Sequence, residues 1–192
     1  MESRKFFDFK YIGAIVADLH RRIFKELYGN LRSPSILRFY WATETDKGCV
    51  ASVEPSLSGE LTDLIRAKLG DARASSFASK IKVVYEKGLI PENIYHDLEL
   101  IRKIRNRIVH KEGMIDFDDK EIRELCGKFK NASDVGNDDP RKVFCSVANN
   151  ILALLMFARS PAHKLDACSA IKVAQEGVQM FLKSQNGRNL EK

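Results

Sequence analysis

The sequence is short of the signals that mark most enzymes and membrane proteins. Its four cysteines, Cys49, Cys126, Cys145 and Cys168, are far apart and form no C-x-x-C, so neither a zinc site nor a redox pair is expected of them. They read as core thiols of a reduced, cytoplasmic protein. There is no H-E-x-x-H, no G-x-S-x-G and no glycine-rich phosphate loop, which leaves no basis for expecting a metal or a cofactor. No stretch approaches the ~18 apolar residues of a membrane span, the nearest being "VANNILALLMFA". Near the N-terminus, acids at Glu2 and Asp8 interrupt any signal-type apolar run, so the expectation is a soluble, intracellular protein with no membrane partner. Strict apolar and polar alternation is also missing, which argues against β-strands.

The chain has 192 residues, 44% of them hydrophobic and 30% charged, which is ordinary for a globular domain. That length predicts one helical domain over residues 1–184, with the polar tail 185–192, "QNGRNLEK" after Ser184, disordered. The net charge of +6 and a pI near 9.1 permit contact with nucleic acid or acidic proteins without requiring it.

Apolar residues recur at helical spacing throughout, and the patterns predict an all-α bundle of about seven helices. The first spans Phe7 to Tyr28, with Ile12, Ile15, Val16, Leu19, Ile23, Phe24 and Leu27 on one face. Ser33-Pro34 starts a second, carrying Leu37, Tyr40 and the single tryptophan, Trp41. From Asp46 to Leu69 the periodicity continues, but Pro55 inside the run is expected to kink or split it. "SSFASKIKVVYEKGLI" opens on a serine cap and ends at Gly88, with Phe77, Ile81, Val84 and Tyr85 inward. Pro91 begins the next helix, and Asp118 with Glu121 resembles a capping box ahead of another. Pro140 starts the most apolar helix, and Ser160-Pro161 starts a last one ending near Ser184.

The informative stretch is "LELIRKIRNRIVHKEG", Leu98 to Gly113. At 100° per residue, Ile94, Leu98, Ile101, Ile104 and Ile108 define an apolar arc, and Arg105 falls inside it. A guanidinium there needs a carboxylate, a carbonyl cluster or an anionic ligand, and Asp97, Glu60 and Asp63 are the candidate partners. Asn106 and His110 stand one turn apart and can face one ligand together, with Arg102 extending the stripe. The same charges also suit macrodipole matching, since Glu92, Asp97 and Glu99 lie in the first half of the helix and the cations in the second.

Two resemblances attach to these residues. "SSFASKIKVVYEKGLIPENIYHDLELIRKIRNRIVHKEGMIDFDDKEIRELCGKF", Ser75 to Phe129, resembles the central block of the mannitol operon repressor (MtlR) family: the serine and phenylalanine opening, "GLI", "YHDLELIRKIRN", a following histidine and "FDD..I...C". Pro55 and the "RIVH" before Lys111 depart from the pattern that family leads one to expect. The resemblance implies a helical bundle that regulates transcription, expected here to be dimeric and to act through a protein partner; Arg102, Asp97 and Asp118 are the residues expected in structural or ligand-holding roles. "RNRIVH" is also similar to the Arg-x4-to-6-His signature of the HEPN superfamily. In that case the implication is a metal-independent RNase whose composite site is built by two protomers. Arg105 would hold the phosphate, His110 would act as general base toward a ribose 2′-hydroxyl, and Asn106 would orient one of them.

Direct reading of DNA is not expected. The nearest candidate for a helix-turn-helix, "ELTDLIRAKLGDARASSFASKIKVVYE", has a short second helix carrying only Lys80 and Lys82 outward. A scaffold that pairs through the aromatic-rich first helix, "FFDFKYIGAIVADLHRRIF", is the third possibility. His20, His96 and His163 are isolated and read as surface or partly packed side chains.

Overall fold

Among residues 45–70, 74–110, 115–132, 139–160 and 166–177, which the computed structural model describes, all regular structure is helical. The helices expected over Phe7 to Tyr28 and after Ser33-Pro34, with the C-terminal tail, lie outside these residues. The first described helix, α1 (Asp46–Leu69), begins where the Thr45 hydroxyl accepts from the Gly48 N–H at 3.2 Å. Its stripe of Val50, Val53, Leu57, Leu61 and Leu64 is fully buried. The helix stops at Gly70, whose positive φ of 68° suits a residue without a side chain.

Of the two outcomes expected of Pro55, a split does not occur: α1 runs as one helix past it. Proline removes the N–H that would bond the carbonyl of Ala51, and both residues are exposed, so that carbonyl can turn to water instead. Ser52 and Ser56 donate back to the carbonyls of Cys49 and Ser52 at 2.8 and 3.1 Å, so the hydroxyls flanking the proline are satisfied within the turn.

The next helix, α2 (Phe77–Glu86), opens on a reciprocal capping box between Ser76 and Ser79. It closes at Gly88, which has φ 65° and donates to the Tyr85 carbonyl at 2.9 Å. Phe77, Ile81 and Val84 are buried as the periodicity predicts. Tyr85 is instead exposed, stacked on Tyr95 with ring centroids 4.1 Å apart. Pro91 sits just ahead of α3 (Glu92–His110) and accepts from the Tyr95 N–H.

The short α4 (Lys120–Cys126) is capped by Asp119, whose carboxylate accepts from Glu121 N at 2.9 Å and Ile122 N at 3.4 Å. The expected cap, Asp118, is one residue out of place: it is exposed and pairs with Arg123. Pro140 occupies the first turn of α5 (Pro140–Arg159) behind the Asp139 cap. Among the described helices α5 is the one long and apolar enough to cross a membrane, where the sequence leads one to expect no such stretch. Here it serves as a core helix: Phe144, Val147, Ile151 and Leu155 are fully buried, and Phe117 and Phe129 pack their rings against Phe144. Ser160 ends α5, and α6 (residues 167–177) begins behind Asp166, which accepts from Ser169 N at 3.0 Å; Pro161, where the sequence places the start of the last helix, lies outside the described residues.

The layers follow from these apolar faces. Helix α1 lies at the centre, packed most extensively on α5, then on α3, with α2 bridging α1 and α3. Helix α4 closes the far side between α3 and α5. This order puts one side of α3 in the core and leaves its Arg- and Asn-bearing side at the surface.

Candidate functional site

The buried arc of α3 comprises Ile94, Leu98, Ile101, Ile104 and Ile108, all at 0% exposure. Arg105 sits at the edge of that arc, its side chain 27% exposed, and its Nε lies 2.6 Å from Oε2 of Glu54 on α1. Nη1 of Arg105 also donates to Oδ1 of Asn106 at 3.1 Å. The guanidinium is thus held by a carboxylate from the neighbouring helix and by the amide beside it. None of the partners considered from sequence is the one used, because each is engaged elsewhere. Glu60 and Asp63 both face Arg159, at 3.2 and 3.4 Å.

Asp97, the third of them, is the one fully buried charged side chain among the described residues. Its two oxygens accept from Lys130 N at 2.9 Å, Asn131 N at 2.9 Å and Asn131 Nδ2 at 2.8 Å, and His96 Nδ1 lies 3.0 Å away. Asn131 in turn accepts at Oδ1 from Asn93 and from Gln175 of α6, at 3.2 and 2.6 Å. The carboxylate therefore pins the chain that leaves α4 back onto α3, with α6 attached through Asn131. Its role is structural: a buried acid is tolerable when this many donors converge on it.

The remaining arginines of α3 are also matched. Arg102 forks onto Glu99 one turn back, Nη2 to Oε2 at 2.8 Å, and these bonds raise its already high pKa. Arg107 reaches Glu121 of α4 at 2.5 Å. Lys103 and Asn106 are exposed on the outer side of the helix. His110 is the last residue of α3, one turn beyond Asn106, and its side chain lies outside the described part of the structure. Of the triplet singled out from sequence, the structure brings Arg105 and Asn106 into contact.

Beyond α3 the same pattern holds. Arg66 pairs with Asp63, Arg123 with Asp118, Arg141 with Asp46 and Arg159 with Glu60 and Asp63. Every described arginine has a carboxylate of its own chain within ion-pair distance.

Two features escaped the sequence reading. One is an open cleft of about 400 Å³ between the starts of α1 and α5, lined by Asp46, Phe117, Asp118, Arg123, Asp139, Pro140 and Arg141. Here Asp46 pairs with Arg141 at 3.1 Å and accepts from Phe117 N at 3.0 Å, tying together the N-terminal turns of both helices and the turn ahead of α4. The other is the approach of two cysteines next to this knot, Cys49 and Cys145, with sulfurs 3.4 Å apart. No single-helix pattern could have shown either, since each joins residues on separate elements. Among the described residues no three His, Cys, Asp or Glu side chains converge in a way that could hold a metal ion. Compared with known proteins, the chain matches no family model, no curated protein and no solved structure.

Proposed function

We propose that this chain is a regulatory helical bundle of the mannitol operon repressor type, working as a homodimer in the cytoplasm through contacts with a protein partner. The observation that carries this reading is the complete pairing of the described arginines. Phosphate backbones are gripped by guanidinium groups that are available to them. In this bundle Arg102, Arg105 and Arg107 already have Glu99, Glu54 and Glu121. What looks in sequence like a basic helix is in the fold a ladder of arginine ion pairs, with Lys103 an exposed cation among them. Such a face suits a protein partner better than a polyanion.

The test is genetic and biochemical together. Deleting the gene in its host is expected to change the transcripts of a confined set of operons, while the purified chain alone shifts none of their promoter fragments in a gel. Unchanged transcripts would refute the regulatory role; a sequence-selective shift by the chain alone would refute its dependence on a partner.

One contact favours a second reading. The 3.1 Å bond from Arg105 to Asn106, with His110 one turn on, is the arrangement in which Asn106 would orient the arginine of a HEPN-type, metal-independent endoribonuclease. In that case Glu54 holds the arginine in place until a phosphate displaces it, and a second protomer completes the site.

A further inference from the structure

Cys49 lies in the first turn of α1 and Cys145 in the second turn of α5, the two helices of the bundle packed most extensively on each other. They are 96 positions apart in sequence, yet their sulfurs stand 3.4 Å from each other, with exposures of 0% and 8%. The surroundings of the two thiols differ. The hydrogen bond from Cys145 lowers the pKa of Cys49 and outweighs its burial, and the Arg141 guanidinium lowers it further. The same bond and its burial push the Cys145 thiol up. Either sulfur can donate to the other, and the Arg141 guanidinium beside Cys49 favours the anionic form at that member of the pair. Cys126, buried without such a partner, is pushed up to about 12 and held inert.

We propose that Cys49 and Cys145 form a reversible, peroxide-sensitive disulfide that locks the start of α1 to α5. The Cys49 thiolate attacks one oxygen of a hydroperoxide, breaking the O–O bond to give a sulfenic acid, and the departing hydroxide or alkoxide leaves as water or alcohol by taking up from solvent the proton that Cys49 lost on ionising. The Cys145 sulfur then attacks the Cys49 sulfur, and the departing hydroxide leaves as water with the Cys145 proton. In sum, two thiols are oxidised by two electrons, one peroxide is reduced, and one disulfide forms. The sulfurs, now 3.4 Å apart, need to close by about 1.4 Å to reach a disulfide bond length. Neither sulfur lines the open cleft, but Asp46 and Arg141, which do, stand next to Cys49, so a small peroxide entering from the cleft would have to pass between them.

The bond would act on the junction already described. Asp46, one turn before Cys49, holds Arg141 and Phe117 N, so the disulfide would fix α1, α5 and the turn ahead of α4 as one unit. Glu54, which grips Arg105, lies five positions beyond Cys49 on the same helix. Oxidation would thereby tie down the end of α1 from which Glu54 reaches Arg105 of α3.

The test uses the full chain and a Cys126→Ser/Cys168→Ser variant that keeps only this pair. Each is exposed to hydrogen peroxide, denatured, alkylated with N-ethylmaleimide and weighed intact, then digested without reductant. The expected result is loss of two hydrogens, no maleimide on the pair, one cross-linked peptide joining Cys49 and Cys145, and full reversal by dithiothreitol. Closing so long a loop is also expected to raise the melting midpoint by roughly 5–10 °C. If both thiols of the variant stay alkylatable under peroxide that oxidises Cys168 in the full chain, the proposal is overturned. A stable sulfinic acid at either position without a cross-link, or a cross-linked form that melts no higher than the reduced one, overturns it as well.

Discussion

Replacing Asp97 with alanine removes the acceptor for three donors at once: the N–H groups of Lys130 and Asn131 and the Asn131 side-chain amide. A buried donor left without a partner costs ~1–3 kcal/mol, and partial access of water at half-exposed Asn131 keeps each here near the lower half of that range. The sum is a loss of about 3–4 kcal/mol, a large fraction of the ~5–15 kcal/mol that holds a typical domain together. At ~2–4 °C per kcal/mol for a chain of this size, the midpoint should fall by about 10 °C. Asp97→Asn keeps an acceptor but turns an N–H₂ toward one of the backbone donors, and should cost about 2 kcal/mol. Asn131→Ala keeps the backbone donors paired and should cost about 1 kcal/mol, with less than additive loss in the double variant because one bond is shared. Urea unfolding followed by circular dichroism measures all four, with an unchanged m-value as the sign that the denatured state is not the cause. An Asp97→Ala protein within about 1 kcal/mol of wild type, or an Asp97→Asn protein equal to wild type, would refute the assignment of Asp97 as the anchor of the α4 to α3 connection.

Further perturbations follow from the same geometry. Asp119→Ala should destabilise by about 1 kcal/mol through loss of the α4 cap, while Asp118→Ala leaves urea stability unchanged; the reverse order would restore Asp118 as the cap. Pro55→Ala should stabilise by about 1 kcal/mol or more in thermal melts, because it returns a backbone N–H to an exposed helix interior; a drop would mean that the proline is fitted to its site. Glu54→Gln should cost no more than about 1 kcal/mol, since the pair with Arg105 is a quarter exposed on each side and screened accordingly.

The bundle itself was largely legible in the chain. The apolar stripe of α1, the serine cap of α2 and the proline opening of α5 each carry a local signal, since cap chemistry and 3.6-residue periodicity act within one element. The errors occur where a second element decides. Tyr85 lies near the inward face of α2 on the wheel, but Tyr95 on α3 offers it a stacking partner at the surface. Arg105 reads correctly as an arginine in need of a carboxylate, yet a wheel gives only a direction and cannot say that Glu54 stands opposite. The Cys49 and Cys145 pair is invisible for the same reason: spacing rules address neighbours in sequence, and these two meet only because α1 and α5 pack at their N-terminal ends. Asp119 displaced Asp118 as a cap by a single residue, a shift that two adjacent aspartates leave undetermined until the turn itself is seen.

The measurement that bears most directly on the central claim is cleavage of a mixed single-stranded RNA pool in EDTA by the purified chain, beside His110→Ala and Arg105→Ala forms shown to be folded by circular dichroism. With the arginines of α3 held by their own carboxylates, wild type should produce no cleavage above the His110→Ala protein. Cutting by wild type that a folded His110→Ala protein loses would contradict the regulatory reading and establish the Arg105, Asn106 and His110 stripe as an RNase site.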